Sequence, residues 1–389
     1  MKVMGLISGT SMDGIDVAVV DFVLTGSHLT ARLVWDGCVA YEPDLRARLL
    51  AALPPAATTL AEVCELDTAV GQAFADAAAR AVAGAGPVDV ICSHGQTVFH
   101  WVEDGAALGT LQIGQPAWIA ERLGTPVVSD IRARDLTVGG QGAPLASLID
   151  ALLLGGVPGT SAALNLGGIA NITVVRDGAV YAFDTGPANA LMDAVVADRG
   201  LDPAGYDQGG RIAARGVVDA QLLDGLLAEP YYRQEPPKST GKELFHLPYL
   251  MAHLDRLDHP VDSADLLATL AELTGETVAD AVRRAGVTYL AVSGGGAHNP
   301  VVMGRLRALL DGVTVVTTGA LGVPADAKEA ILMALIGWCT WHGVPGIVPG
   351  GTGAREPRIL GVITPGRGPL VLPAPVGGVT ALTVGGGTT

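Results

Sequence analysis

The stretch Ser8-Gly9-Thr10-Ser11-Met12-Asp13-Gly14 joins two apolar runs, Val3–Ser8 and Ile15–Phe22. Val-, Ile- and Leu-rich runs around a connection of small and hydroxyl-bearing residues predict a β-hairpin with a glycine turn. Alone, such a turn is ordinary, because glycine in a hairpin usually only supplies a positive φ. It is not a Walker A loop, since no Gly-Lys-[Ser/Thr] follows. The tripeptide Gly241-Lys242-Glu243 lacks both the upstream glycine and the hydroxyl after lysine.

A second stretch repeats the pattern. Ala162–Leu166 and Ile172–Val175 flank Gly167-Gly168-Ile169-Ala170-Asn171, and a third strand, Val180–Phe183, ends in Asp184-Thr185-Gly186-Pro187 before a helix from about Asn189. A further turn, Ser293-Gly294-Gly295-Gly296, stands between strand Tyr289–Val292 and a helix. Together these turns form a kit for a nucleotide. Hairpin turns can aim N–H groups and hydroxyls at phosphate oxygens. A triple glycine at a helix start admits a base or ribose without Cβ interference. Asp13 would then face phosphates, which suits it only with Mg²⁺ or ordered water between.

The rest of the chain reads as helices alternating with strands. Thr59–Ala83 is a helix with Leu60, Val63, Leu66, Val70 and Phe74 on one face. Val88–Ser93 delivers Ser93-His94-Gly95-Gln96-Thr97 to its C-terminal end, and Val127–Ser129 does so for Asp130-Ile131-Arg132. Gly139–Pro144 leads into a helix. Residues 200–262 read as an irregular insertion over a cleft, followed by helices Ser263–Ala285 and, near it in type, Ala325–Trp341. The stretch after Pro365 is expected to fray at its end. This alternation predicts an α/β architecture, and 389 residues suit two domains of roughly 150–200 residues.

Composition excludes several classes. A net charge of −15 lacks the basic footprint that nucleic-acid binding needs. Four scattered cysteines without a CxxC pair speak against a disulfide framework or zinc site and fit a reducing cytosol. The N-terminus starts in strand-like sequence with no signal-peptide core. Even the apolar run Leu145–Gly155 is interrupted, by Asp150, far short of a membrane span. The expected location is cytoplasmic, with no membrane partner.

With these motifs the chain resembles the sugar kinase, Hsp70 and actin superfamily, and within it the anhydro-N-acetylmuramic acid kinase family. The resemblance spans Lys2 to about Pro365. It rests on Ser8–Gly14, Ser93–Thr97, Gly139–Leu145, Asn165–Asn171, Phe183–Pro187, Ser239–Phe245 and Ser293–Gly296, seven motifs in one order. Departures are Ala188 where glycine is expected, Ile131 for phenylalanine and His246 for asparagine, none of which removes a titratable catalytic group. The resemblance implies two ribonuclease-H-like lobes with an ATP cleft between them, assigned here as 1–134 plus about 345–389 and 135–344. It implies a kinase that opens the 1,6-anhydro ring with water and phosphorylates O6, using ATP and Mg²⁺, and it implies a homodimer.

It further implies ATP contacts from Gly9, Thr10, Ser11, Met12, Asp13, Gly14, Ile15 and Asp16, from Asn165, Gly167, Gly168 and Asn171, and from Gly294, Gly295 and Gly296. Asp13 is the metal candidate, through water. Asp184, at a strand end before a helix where α/β ligands bind, is the candidate base; the alternative is turn chemistry in which Asp bonds its own backbone. Glu329 is a second catalytic candidate, or else a carboxylate complementing a helix dipole. Arg132 is a carboxylate clamp, and His94, Gln96 and Gln141 are expected to hydrogen-bond the sugar.

Three rivals remain. Asp184-Thr185-Gly186 is the aspartic-protease tripeptide, but that chemistry needs two carboxylates sharing a proton and no second such tripeptide exists. An ATP-driven switch would need a peptide-binding module, for which no segment is left. A kinase for another sugar is disfavoured by the Ser93–Thr97 and Gly139–Leu145 motifs.

Overall fold

The first apolar run becomes β1 (Lys2–Ser8), buried from Val3 onward, as expected of a central strand covered on both faces. In this computed structural model, which describes all residues except 104, 237, 242 and 386–389, β1 pairs antiparallel with β2 (Gly14–Thr25), and β2 with β3 (His28–Ala40). Helices α1 (Pro43–Ala51) and α2 (Leu60–Ala85) follow. Thr59 Oγ1 caps α2 by accepting from the Glu62 amide at 3.1 Å. Leu66, Val70 and Phe74 are buried as predicted, whereas Leu60 is 89% exposed. Leu60 is the first helical residue, and the buried stripe begins only a turn later.

Next come β4 (Val90–Glu103), β5 (Ala106–Ile113), α3 (Pro116–Leu123), β6 (Val127–Ser129), α4 (Ala133–Leu136) and α5 (Ser147–Leu154). Strand β4 was expected to stop at Ser93. It runs on because its second half pairs with β5 in a hairpin. The Ser93–Thr97 motif therefore lies mid-strand, still opposite the end of β1, where Leu6 faces Ser93 and Ser8 faces Gln96.

The chain then builds β7 (Ser161–Leu166), β8 (Ile169–Arg176), β9 (Ala179–Pro187), α6 (Asn189–Asp198), α7 (Ala220–Leu227), α8 (Leu247–Leu254), α9 (Ser263–Ala285), β10 (Tyr289–Ser293), α10 (Pro300–Leu309) and β11 (Thr314–Thr317). Helix α9 has the bounds its sequence predicts. Asp262 Oδ1 accepts from the Ala264 and Asp265 amides at its start, and Gly286 ends it in the left-handed region at φ 65°. The second hairpin turn is tighter than expected, only Gly167-Gly168, so Asn171 lies within β8. Residues 200–262 are less irregular than expected: they hold α7, α8 and short 3₁₀ turns, and Tyr231, Phe245 and Leu250 join the core.

The last segment supplies α11 (Lys328–Trp341), β12 (Val362–Thr364) and β13 (Ala381–Gly385). The tail is thus a strand, parallel to β3; the residues expected to fray, 386–389, lie outside the described ones. Helix α11 lies directly on β1, since a Cβ on Gly5 would come 2.0 Å from the Ala330 carbonyl oxygen.

Two compact units result: Met1–Gly156 with Leu321–Thr389, and Val157–Ala320. This moves the expected boundary. Residues 135–156 and 321–344 belong to the first unit because Leu148, Ile149 and Leu152 of α5 and Ile331 to Ile336 of α11 fill its core. Among the described residues the first unit has the strand order β12-β6-β4-β1-β2-β3-β13 with β5 on β4, and the second has β11-β10-β7-β8-β9. In each unit an antiparallel meander is extended by two parallel strands, so β6-β4-β1-β2-β3 and β11-β10-β7-β8-β9 are the same ribonuclease-H-like sheet twice. No described helix is long and apolar enough to cross a membrane.

Candidate active site

In the first unit the turn after β1 closes with the Met12 amide donating to the Gly9 carbonyl at 3.2 Å. Met12 holds a left-handed φ of 52°, kept there by a side chain buried in the core under α2. Arg46 of α1 grips the outside of the turn: Nε donates to the Met12 carbonyl at 2.8 Å and Nη2 to the Ser11 carbonyl at 3.3 Å. Ile15 is also buried, so Met12 and Ile15 offer a ligand only their backbone. Thr10, Ser11 and Asp13 are exposed, and Ser11 Oγ donates to Asp13 Oδ1 at 2.9 Å. A Cβ on Gly9 would meet nothing nearer than Ser11 Oγ at 3.9 Å, leaving room for a phosphate against bare backbone.

Gln96 was expected to hold sugar. The structure buries it completely beneath this turn and uses every bond its amide can make. Oε1 accepts from Ser8 Oγ (2.6 Å) and Tyr41 Oη (3.4 Å), while Nε2 donates to the Gly9 and Thr97 carbonyls, both at 3.2 Å. It pins the turn instead of facing a ligand.

His94, expected beside it, is also committed. Arg132 Nε donates to His94 Nε2 at 2.7 Å, so Nδ1 carries the proton and donates to the Gly95 carbonyl at 3.0 Å. Burial, then the Arg132 charge, holds His94 down to about 3, and it stays neutral. Arg132 Nη1 donates to the Gly142 carbonyl. Two committed donors aim the guanidinium and leave Nη2 for a carboxylate. The Gly142 loop is fixed by Asp135, fully buried, whose oxygens accept from the Gly142 amide (2.6 Å) and Thr352 Oγ1 (2.7 Å). Gln141 Oε1 accepts from the Ala107 amide of β5 at 3.0 Å, so its side chain ties the loop to the hairpin, leaving its Nε2 for the expected sugar contact.

Glu329, second residue of α11, opens to solvent, yet desolvation by the surrounding protein raises its pKa; the Asp16 charge adds, and Arg132 and Lys328 oppose. Asp16 is raised as well, first by burial and then by Asp13 and Asp326, against a hydrogen bond from Cys38. Burial, and then that bond, push the Cys38 thiol up to about 12. These carboxylates repel one another, a situation a divalent cation relieves. Among the described residues no three acidic, His or Cys groups converge as a ready-made metal cage.

In the second unit Asp184 is half-buried and held at both oxygens. Asn171 Nδ2 donates to Oδ1 at 2.9 Å and the Thr240 amide to Oδ2 at 3.0 Å. Tyr231 Oη donates to the Asp184 carbonyl at 2.8 Å. Burial raises its pKa most, with help from the Glu243 charge; the two donors oppose. The Phe183–Pro187 and Ser239–Phe245 motifs thus meet on one carboxylate; Lys242 lies outside the described residues. Asn171, expected at ATP, is the orienting partner of Asp184.

The Gly167-Gly168 turn sits on α6, whose Ala188, Asn189 and Ala190 amides donate to its two carbonyls at 2.9–3.0 Å. A Cβ on Gly294 (φ 83°) would lie 2.6 Å from Asn165 Oδ1, so the triple glycine packs against this turn. Its expected place at a helix start is corrected: a 3₁₀ turn, Gly295–His298, intervenes, and Asn299 caps α10.

A family model described as anhydro-N-acetylmuramic acid kinase matches residues 1–366. The chain belongs to this family. It is 55% identical over 381 residues to the anhydro-N-acetylmuramic acid kinase of Streptomyces coelicolor, with 97% of each chain covered. To that of Rhodococcus erythropolis it is 50% identical over 376 residues and 94% of each. A looser likeness, 16% identical with a TM-score of 0.38, is to a ROK family glucokinase from Streptomyces griseus in complex with glucose and AMPPNP, covering 87% of this chain and 99% of that one. The family makes this chain a sugar kinase. Arg46, Tyr41 and Asp135 are members of the site that sequence reading missed; they sit in no motif, and only contacts across the fold expose them.

Proposed function

We propose that this protein uses ATP to convert 1,6-anhydro-N-acetylmuramic acid into N-acetylmuramic acid 6-phosphate and ADP. Asp184 takes a proton from water as its oxygen attacks C1. The C1–O6 bond breaks, O6 bonds to the γ-phosphorus, and the bond from that phosphorus to the β,γ-bridging oxygen breaks, releasing ADP. Capture of O6 by phosphorus removes the need for a separate acid at the leaving oxygen. The observation that carries this reading is the Asp184 carboxylate, aimed by donors at 2.9 and 3.0 Å and raised by burial toward the range useful to a base.

The other roles follow from chemistry. The Gly9–Asp13 turn holds phosphates, with Thr10 and Ser11 hydroxyls and bare Gly9 backbone. Asp13 would hold Mg²⁺ through water, and the ion, when bound, would neutralise charge on the phosphates. Arg132 takes the lactyl carboxylate, with His94 as its orienting partner. Glu329 tunes charge beside the reacting groups. Four unpaired cysteines suit a cytoplasmic location.

The test is turnover of the anhydro sugar and ATP in H₂¹⁸O, read by mass spectrometry. One ¹⁸O at the anomeric oxygen with phosphate on O6 is the expected product. Label in phosphate instead, or ATP hydrolysis indifferent to the sugar, would overturn it and favour an ATP-driven switch.

A further inference from the structure

Asp150 has no part in the site as described. It interrupts an apolar run, sits on α5 beside core residues Ile149 and Leu152, and is 4% exposed. A carboxylate there is costly unless paired. Lys328 Nζ lies 2.7 Å from its Oδ1, and both side chains are less than a tenth exposed. A well-packed apolar pair would join α5 to α11 at least as stably. It could not hold a helix residue by direction and by charge at once.

Lys328 is the first residue of α11 and Glu329 the second, and Ala327 gives the helix no side-chain cap. Successive helical side chains point about 100° apart around the axis. Drawing Lys328 inward to Asp150 therefore sets the direction in which Glu329 leaves the helix. On its other side Ala330 is fixed against β1 by the absence of a Cβ on Gly5. Glu329 is held between two anchored neighbours. The charges that face it are Asp16 from β2, Arg132 from the segment before α4, and Lys328, itself faced by Asp150.

We propose that Asp150 is a positioning residue that acts through Lys328 to set both the direction and the charge surroundings of Glu329. This deepens the functional reading above and rests on it only where Glu329 is given a part in the reaction.

The test labels glutamate with ¹³C at the side-chain carboxyl and titrates the full-length protein without substrate, Glu329 being assigned by the signal missing in Glu329→Gln. Lys328→Met removes a neighbouring cation and is expected to raise the Glu329 midpoint. Asp150→Asn removes the negative charge 2.7 Å from that cation and is expected to lower it. Each shift should reach about half a pH unit, roughly threefold in proton affinity. Opposite shifts are what a purely structural role does not produce. Midpoints that stay put or move the same way overturn the proposal. Should Asp150→Asn fail to fold, an unmoved midpoint in Lys328→Met alone overturns it. The kcat–pH profile with ATP and anhydro sugar, run alongside, separates the two readings: opposite shifts by NMR with an unmoved profile uphold the positioning and remove Glu329 from the reaction.

Discussion

The two units carry the same meander and put opposite chemistry on it. In the first, one row across the sheet reads Ile7, Asp16, Cys38; in the second, the row beside the turn reads Asn165, Asn171, Asp184. Acid and donor have changed places. Asp16, on the middle strand, receives one bond from a thiol, a weak donor, and stands among like charges. Asp184, on the outer strand, receives an amide N–H from each side. A carboxylate fixed at both oxygens has one direction left to act in, which suits a base. One held loosely among other acids suits a place where cation charge arrives. The turns differ in the same sense. The first is gripped from outside by Arg46 and from beneath by Gln96, while the second rests on the start of α6.

The sharpest way to break this contrast is to neutralise each acid. Asp184→Asn is expected to lower kcat by about 10²–10⁴ with ATP affinity by calorimetry unchanged. Asp16→Asn should act mainly on the KM for MgATP. Equal kcat losses in the two would end the distinction. Next come the donors. Asn171→Ala should cost about tenfold in kcat, near the value of one charge-assisted hydrogen bond. Because that bond favours the charged form, its loss raises the Asp184 pKa, and the acid limb of the kcat–pH profile moves to higher pH. Cys38→Ala, in the matching row, should leave kcat and its pH profile unchanged.

The turns give a smaller effect. Arg46→Ala is expected to raise the KM for ATP about five- to tenfold, kcat changing little. In the other turn Gly168→Ala should leave folding intact, read as an unchanged Tm, because its new Cβ would meet among protein atoms only the Ala190 Cβ, at 3.6 Å. The smallest effect is on stability. Glu329 has a raised pKa, so folding favours its protonated form; that stability is whole below the ordinary glutamate range and lost as pH rises through the folded midpoint. Glu329→Gln should therefore raise Tm at pH 7 by about 1–3 °C, with the gain vanishing near pH 4, read by calorimetric scans at both pH values.

Much of the fold was legible because its signals are local. Helix α9 announces itself with Asp262 before and Gly286 after an unbroken helical run, and both hairpins carry small residues between apolar strands. Strand β3 was not legible: exposed Thr30, Arg32 and Asp36 interrupt its apolar residues. The domain boundary failed for a related reason. An apolar helix says that it packs, but not on which sheet, and α5 and α11 chose the first. In the site, residue types were readable and their partners were not. His94 and Gln96 have the chemistry to bind sugar, yet tertiary contacts spend it on Arg132 and on the Ser8–Gly9 turn.

Helix α11 lies on β1 at Gly5, although more than 300 residues separate them in the chain. On a ribosome strands β1 to β6 are made long before the helix that covers them exists. At about 5–20 residues per second, the segment from β4 to α11 takes roughly 10–50 s to emerge, and for that time the apolar underside of β1 and β4 stands bare. The second unit, an uninterrupted stretch of chain, can close on itself meanwhile. The nascent first unit is therefore the half of this kinase that holdase chaperones should guard, and the half whose mutants should aggregate first.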